Sequence, residues 1–395
     1  MFLEAGSRID NIQFELNSVE IFFWLRFFLK CYLKKKNNIC FDLLFEKKFR
    51  IGSGYYKNLK NVISKIFLKF GFYHPALFSN KPWVLYWLLN SIDIIYFNSK
   101  RDFFAKKIDA LFLYLSRINL AEIVGNSPTS LFTLYSTILY STLLPHENLQ
   151  IFNRTSIKNV YYSIRLLTKN TILSKNSKIS DCDSRNLFCI LVISSLMNIL
   201  TIEIENIFSG KIRHASITFE GFSMKRFGSA HGAITYCWLG SIFFLSKKNK
   251  IELSREIKKW LSTRQSIFMF GFSGRMSKIP DSCYNFWIGA ISVMLNINIS
   301  EKLENSLIFF NDHILNSFSD RPGKTTDAYH ICYAICGFAM LNFSNFSRPK
   351  LNFPGRKIGQ ENDIFMNLGK LSPIFSLREA RVIFIFSRKN KDWNE

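Results

Sequence analysis

The chain has 395 residues, of which 48% are hydrophobic and 16% aromatic, with phenylalanine alone contributing 41. That much apolar material builds a sizeable core and excludes wholesale disorder. The formal net charge of +23 is spread along the chain without a nucleic-acid module beside it. A polyanionic substrate or an acidic protein partner therefore accounts for part of the charge better than RNA or DNA does.

From the N-terminus, MFLEAGSRIDNIQ has no basic region leading into an apolar core, so no secretory signal is expected. Eight cysteines without a paired CxxC spacing fit reduced thiols in a cytoplasmic protein. Residues 21–33, followed by Lys34-Lys35-Lys36, have the composition of an amphipathic surface helix or of a buried one. Residues 186–202 form an uncharged run at the short limit for a membrane span. Both are read as buried helices of a large helical protein, with no stable membrane insertion.

Strand signals are weak, and apolar segments of helix length dominate, which predicts an all-α protein. Those segments repeat. They open at Lys81 (KPWVLYWLLN), Ser127 (SPTSLFTLYSTILYS), Asp183 (DSRNLFCILVISSLMNIL), His231 (HGAITYCWLGSIFFL), Asp281 (DSCYNFWIGAISVML) and Asp327 (DAYHICYAICGFAML). The interval is about 50 residues, the length of two helices with their connections. Three of the six open on Asp, a residue that caps the free amides of a first turn. More polar stretches such as 252–264 lie between them. Six such hairpins close into an α/α barrel, with apolar helices inside, polar ones outside, and all six inner N-termini at one mouth. The expected divisions are a helical extension over 1–60, a catalytic barrel over 61–345, and an outer helix and tail over 346–395.

The densest chemistry lies in RMSKIPDSCYNFW (from Arg275) and DRPGKTTDAYHICYAIC (from Asp320). Asp281, Cys283 and His330 all fall in or beside first turns at the expected mouth. Together they offer a carboxylate, a thiolate and an imidazole, the three-ligand pattern of a catalytic zinc with one open position. The same residues also read as a capping Asp, a buried Cys and an unrelated His. Cys332 and Cys336, four apart on one helix, read as small buried hydrophobes.

These motifs, from about Lys81 to Met340, resemble the β-subunits of protein prenyltransferases, and among them the farnesyltransferases. The specific pieces are KPWVLYW, DSRNLFC, AHGAITYC, WLSTRQ followed by GFSGRMSKIPDSCYNFW, and SDRPGKTTDAYHICYAICG. The resemblance implies an α/α barrel that binds zinc, an isoprenoid diphosphate and the C-terminal CaaX segment of a protein such as a small GTPase. It also implies an obligate α-subunit. The implied zinc ligands are Asp281, Cys283 and His330. Around the diphosphate it sets His231, Arg275, Lys278 and Tyr284, with Lys278 and Tyr284 counted as catalytic. Arg185, Phe188 and Trp287 would border the isoprenoid channel. Trp83, Trp87, Tyr329 and Pro128 would receive the peptide, and Asp320 matches a position associated with magnesium on the diphosphate.

The resemblance also implies the C15 donor, since Trp, Tyr and Asp at the positions of Trp83, Tyr329 and Asp320 go with it in that family. A Trp side chain fills about one isoprene unit and would clash with the C20 chain. The alternatives are a geranylgeranyltransferase β-subunit, of type I or the Rab type, and a non-catalytic basic helical scaffold that binds polyanions. Departures from the pattern are Ile234 and Phe188, each in place of a Tyr, and the loss of Gly-Gly turns in stretches such as EGFSMKRFGS.

Overall fold

The computed structural model describes residues 81–95, 131–143, 154–167, 184–202, 204–205, 217–218, 221–223, 228–245, 257–266, 271–276, 278–299, 302–303, 306, 310–312, 317–341 and 369–392. The extension over 1–60, and with it the 21–33 stretch, lies outside these residues, as does Pro128.

Six helices carry the repeat. They are α1 (Lys81–Ile95), α2 (Leu131–Thr142), α4 (Ser184–Leu196), α5 (Gly232–Leu245), α6 (Tyr284–Met294) and α7 (Ala328–Met340), with α3 (Arg154–Leu167) between the second and third. Each inner helix packs on the next, α1 on α2, α2 on α4, α4 on α5, α5 on α6 and α6 on α7. α7 then packs on α1, which closes the ring. The all-α barrel read from the sequence is the observed architecture.

The inner helices are apolar around most of their circumference because both sides are covered. On α4 every residue from Leu187 through Ser194 is buried. Four of the hydroxyls in this apolar ring are satisfied by their own helix. Ser91, Ser141, Ser241 and Ser292 each donate to the carbonyl four residues back, at 2.7, 2.7, 2.8 and 2.8 Å. α6 and α7 approach closely at Gly337, where a Cβ would come within 2.8 Å of Asn285 Cβ. The outer elements are amphipathic instead. α3 buries Val160 and Ile164 and exposes Lys158, Tyr162 and Arg165. A helical turn over 257–262, inside the expected 252–264 stretch, buries Ile257, Trp260 and Leu261 and exposes Lys258 and Lys259.

The approach to three successive inner helices uses the same small device, which the weak strand signal hid. β1 (Ile217–Thr218) pairs antiparallel with β2 (Gly221–Phe222) ahead of α5, and β3 (Asn311–Asp312) pairs with β4 (Ser317–Phe318) ahead of α7. A single bridge between Gln265 and Phe272 does the same ahead of α6.

The opposite end of the ring is closed by 371–378 and α8 (Glu379–Asp392). Tyr86 and Asn90 donate to the Ser376 carbonyl at 2.9 and 3.0 Å, and Tyr236 donates to that of Ile374 at 2.8 Å. Asp93 of α1 accepts from Arg378 Nε at 2.5 Å and Arg381 Nη2 at 2.9 Å. Cys332 and Cys336 are fully buried near this end, as small hydrophobes are. The uncharged 186–202 run ends its helix at Leu196. Among the described residues no helix is long and apolar enough to cross a membrane.

Candidate metal centre and diphosphate mouth

α6 starts three residues later than the apolar pattern suggests, at Tyr284. Asp281 lies in the turn before it and accepts from the Cys283 amide at 2.9 Å, so the carboxylate and the thiol stay on one side of the chain. The turn is tied down by Asp281 N donating to the Phe272 carbonyl at 3.1 Å and Ser282 N donating to that of Asp320 at 3.2 Å. On α7, Asp327 is the N-cap, accepting from the His330 amide at 3.0 Å. His330 therefore stands in the first turn and reaches across to Asp281, with 3.3 Å between Nε2 and Oδ1.

The result is a cluster in which one ligand atom each from Asp281, Cys283 and His330 lies within 4.8 Å of the others. Oxygen, sulfur and nitrogen donors in this arrangement suit a borderline-soft ion such as zinc, with one position left for substrate. The carboxylate oxygen Asp327 Oδ2 accepts from His330 Nδ1 at 2.6 Å, the carboxylate–imidazole pairing that fixes a metal-binding histidine with Nε2 toward the ion. These residues fit the ion. The residue that sequence reasoning missed in this role is Asp327, which looked like a helix cap and is one as well.

The electrostatics of the cluster follow from its density. Burial works against a charged His330, but hydrogen bonds to Asp281 and Asp327 outweigh it and raise the imidazole to about 9. Burial raises Asp281, yet bonds from His330 and Cys283 hold it below the usual carboxylate range. The Cys283 thiol is pushed well up, first by burial and then by the Asp281 charge. A dication would invert that last balance and stabilise the thiolate.

Beside the cluster, Tyr284 Oη lies 3.2 Å from His231 Nε2. His231 Nδ1 accepts from the Ala233 amide at 3.1 Å, so in the neutral ring Nε2 carries the proton and faces Tyr284 Oη. Burial, then Arg275, then Arg185 lower His231 to about 4, which places both guanidiniums within electrostatic reach of it. Burial pushes the Tyr284 phenol well above its ordinary value. Arg275 and Lys278 are exposed on the connection into α6, and Arg185 is exposed in the first turn of α4. His231 and Tyr284 are thus in contact, and the charges of Arg275 and Arg185 act on His231. The side chain of Asp320 faces Arg321 at 3.2 Å, while its carbonyl supports the Cys283 turn.

Inside the ring the aromatics run as one continuous chain. Trp83 stacks on Trp87 at 5.7 Å, and Trp87 meets Tyr329 edge-on at 5.2 Å. Tyr329 contacts Tyr333 at 4.8 Å, and Tyr333 contacts Trp287 at 4.6 Å. Trp287 meets Tyr236 at 5.0 Å, and Tyr236 meets Phe188 at 5.2 Å. Tyr236 and Tyr333 had no signal distinguishing them from core. Trp87 Nε1 is buried without a hydrogen-bond partner among the described residues. Ile234 is buried.

A closed ring of inner helices with a metal-ligand trio at their N-termini defines an α/α toroid with a candidate metal centre. Residues 61–377 match the prenyltransferase alpha-alpha toroid domain, and the chain belongs to that family. Within it, the likeness is to the β-subunits of protein farnesyltransferases. The Pyricularia oryzae protein farnesyltransferase subunit beta is 27% identical over 303 residues, covering 66% of this chain and 58% of the relative. The Schizosaccharomyces pombe protein farnesyltransferase subunit beta is 25% identical over 298 residues, covering 68% of this chain and 73% of the relative. In the first case the chain spans little more than half of the relative's length. Among solved structures, Candida albicans protein geranylgeranyltransferase-I complexed with GGPP superposes with a TM-score of 0.54 at 16% identity. The match covers 83% of this chain and 97% of that one, and it is a likeness of fold.

Proposed function

We propose that this chain is the catalytic β-subunit of a zinc-dependent protein farnesyltransferase. It would move a farnesyl group from farnesyl diphosphate to the cysteine thiol of CaaX-terminated proteins such as small GTPases, as a heterodimer with an α-subunit in the cytoplasm. The observation that carries this reading is the convergence, at one mouth, of the Asp281–Cys283–His330 donor set with the Arg185–His231–Arg275–Tyr284 cluster.

In this reading Asp281, Cys283 and His330 hold zinc, and Asp327 orients His330. Bound there, zinc supplies a Lewis acid that keeps a substrate thiol ionised at neutral pH. Arg275, Arg185 and Lys278 meet the diphosphate, and His231 Nε2–H and the Tyr284 hydroxyl donate to its oxygens. Their interaction strengthens as the C1–O bond of the isoprenoid breaks and charge accumulates on the leaving diphosphate. The thiolate sulfur forms the new bond to C1, and diphosphate departs. Asp320 offers a carboxylate for a magnesium ion on the diphosphate.

Trp287, Tyr236, Phe188 and Tyr333 line an apolar channel for the chain, while Trp83, Trp87 and Tyr329 receive the peptide end. The unpartnered Trp87 indole N–H is a donor for a backbone carbonyl of that peptide. The C15 preference rests on Trp83, whose bulk is held by stacking on Trp87 and by a tilted contact with Tyr135.

The test is prenyl transfer by the chain co-expressed with the α-subunit of its own genome. Farnesyl and geranylgeranyl diphosphate are offered in parallel with CaaX peptides. C15 transfer supports the reading in full. C20 transfer keeps the class and overturns the role given to Trp83, and no transfer with either donor from a folded heterodimer overturns the reading.

A further inference from the structure

We infer that Gly274 is a positioning residue for Tyr284: with Gly232 it forms a slot that holds the phenol ring against His231. A Cβ built on Gly274 would fall inside that ring, overlapping Cζ, Oη and Cε1 of Tyr284. A Cβ on Gly232 would lie 3.0 Å from Cδ1 and 3.1 Å from Cε1 of the same ring. The two glycines come from different elements, one opening α5 and the other in the connection into α6. They are tied together by the Gly232 amide donating to the Gly274 carbonyl at 2.8 Å. The ring is thus held on two sides by backbone that carries no side chain. Its hydroxyl is left one direction to face, toward His231 Nε2 at 3.2 Å.

The glycine at position 274 is not explained by its backbone. Its φ lies outside the left-handed range, unlike that of Gly221 at +108°, so an L-residue could adopt it without strain. Nor is the neighbour a flexible chain end that could swing aside, because Tyr284 is a rigid ring anchored at the first position of α6. The three nearest atoms that a side chain at 274 would meet all belong to the phenol. Holding a polar tip within a fraction of an ångström is what preorganised stabilisation of a developing charge requires. The connection that carries Gly274 also carries Arg275, so one loop sets both a cation and the phenol. This inference rests on the diphosphate role proposed for the site.

A double-substitution cycle tests it. Gly274→Ala is made in the wild-type chain, in Tyr284→Phe and in Tyr284→Ala, each assembled as the heterodimer. Two readouts are taken: the thermal midpoint, and competition of inorganic diphosphate against a fluorescent farnesyl diphosphate analogue. Gly274→Ala is expected to lower the midpoint in the wild type and in Tyr284→Phe, where the ring remains, and to leave it unchanged in Tyr284→Ala. Diphosphate affinity should fall about tenfold or more on Gly274→Ala in the wild type, comparable to the loss of a donor to a charged group. In Tyr284→Ala the second substitution should cause no further loss. An equal cost of Gly274→Ala in all three backgrounds overturns the inference, because the glycine then serves the backbone rather than the ring. A wild-type heterodimer that binds no diphosphate, with the midpoint cycle intact, keeps the slot and overturns the role proposed for the mouth.

Discussion

Asp327 Oδ2 lies 2.6 Å from His330 Nδ1, and the other oxygen of the same carboxylate accepts the His330 backbone amide at 3.0 Å. One side chain therefore caps α7 and fixes the tautomer of His330.

Replacing Asp327 with Asn or Ala should lower zinc affinity about 10- to 100-fold, the usual cost of losing a carboxylate behind a metal-bound histidine. Competition with a chromophoric chelator measures it. Asn retains the cap acceptor and should lose affinity with little change in thermal midpoint. Ala should also lose about 1 kcal/mol of stability with the cap. Equal affinity in all three chains would show that Asp327 serves only the helix.

Zinc uptake should release protons, because His330 is raised to about 9 and Cys283 is raised as well in the metal-free chain. Ligands bind deprotonated, so at pH 7 the imidazole and the thiol each give up a proton. Affinity should then rise with pH and flatten for the His330 contribution above about 9. In the metal-free chain the sign is opposite. The His330 contribution to stability is fully present below about 6.5, the ordinary histidine value. It is lost as pH rises through about 9. Calorimetric titration of zinc in buffers of different ionisation enthalpy counts the protons, and a count of zero would contradict the ordering of charges in the cluster.

Asp93, whose side chain is 10% exposed, holds Arg378 and Arg381 at 15% and 13%. Asp93→Ala removes the carboxylate that both nearly buried guanidiniums share and should cost up to about 3–5 kcal/mol. Burial raises the Asp93 carboxyl, but the two arginines hold it below its ordinary value. Its contribution is therefore present at neutral pH and lost as pH falls through the lowered value. A thermal midpoint unchanged by Asp93→Ala would mean that 371–378 closes the ring by its backbone hydrogen bonds alone.

Much of the ring was legible because its signals are local. The six apolar openings repeat at a fixed interval, and Asp281, Cys283 and His330 stand in turns where backbone geometry needs little tertiary context. What the sequence hid depends on distant partners. Nothing near Asn90 or Tyr86 announces that both donate to Ser376, 286 and 290 residues away. Tyr236 and Tyr333 sit mid-helix among apolar residues, where an aromatic lining a channel has the same pattern as one in a core. Gly274 looks like any loop glycine until the ring of Tyr284 is placed over it. The start of α6 at Tyr284 rather than Asp281 reflects the Asp281 side chain bonding the Cys283 amide, a local competition that apolar periodicity does not register.

Trp83→Thr should shift donor preference toward the C20 diphosphate, since it removes the bulk packed against Trp87 and Tyr135. The ratio of kcat/KM for the two donors measures it. A shift of about tenfold or more matches the loss of a ring-sized obstruction, and an unchanged ratio would move the length determinant elsewhere along the aromatic chain.

Zinc content and coordination test the centre most directly. X-ray absorption at the zinc edge on the purified heterodimer, with metal analysis of the same sample, should give one zinc per chain with sulfur, nitrogen and oxygen neighbours. The metal should be lost in Cys283→Ala and in His330→Ala, with the fold of both retained by circular dichroism. A folded wild-type chain that takes up no zinc, or one that keeps it unchanged in both variants, would contradict the assignment of Asp281, Cys283 and His330 as its ligands.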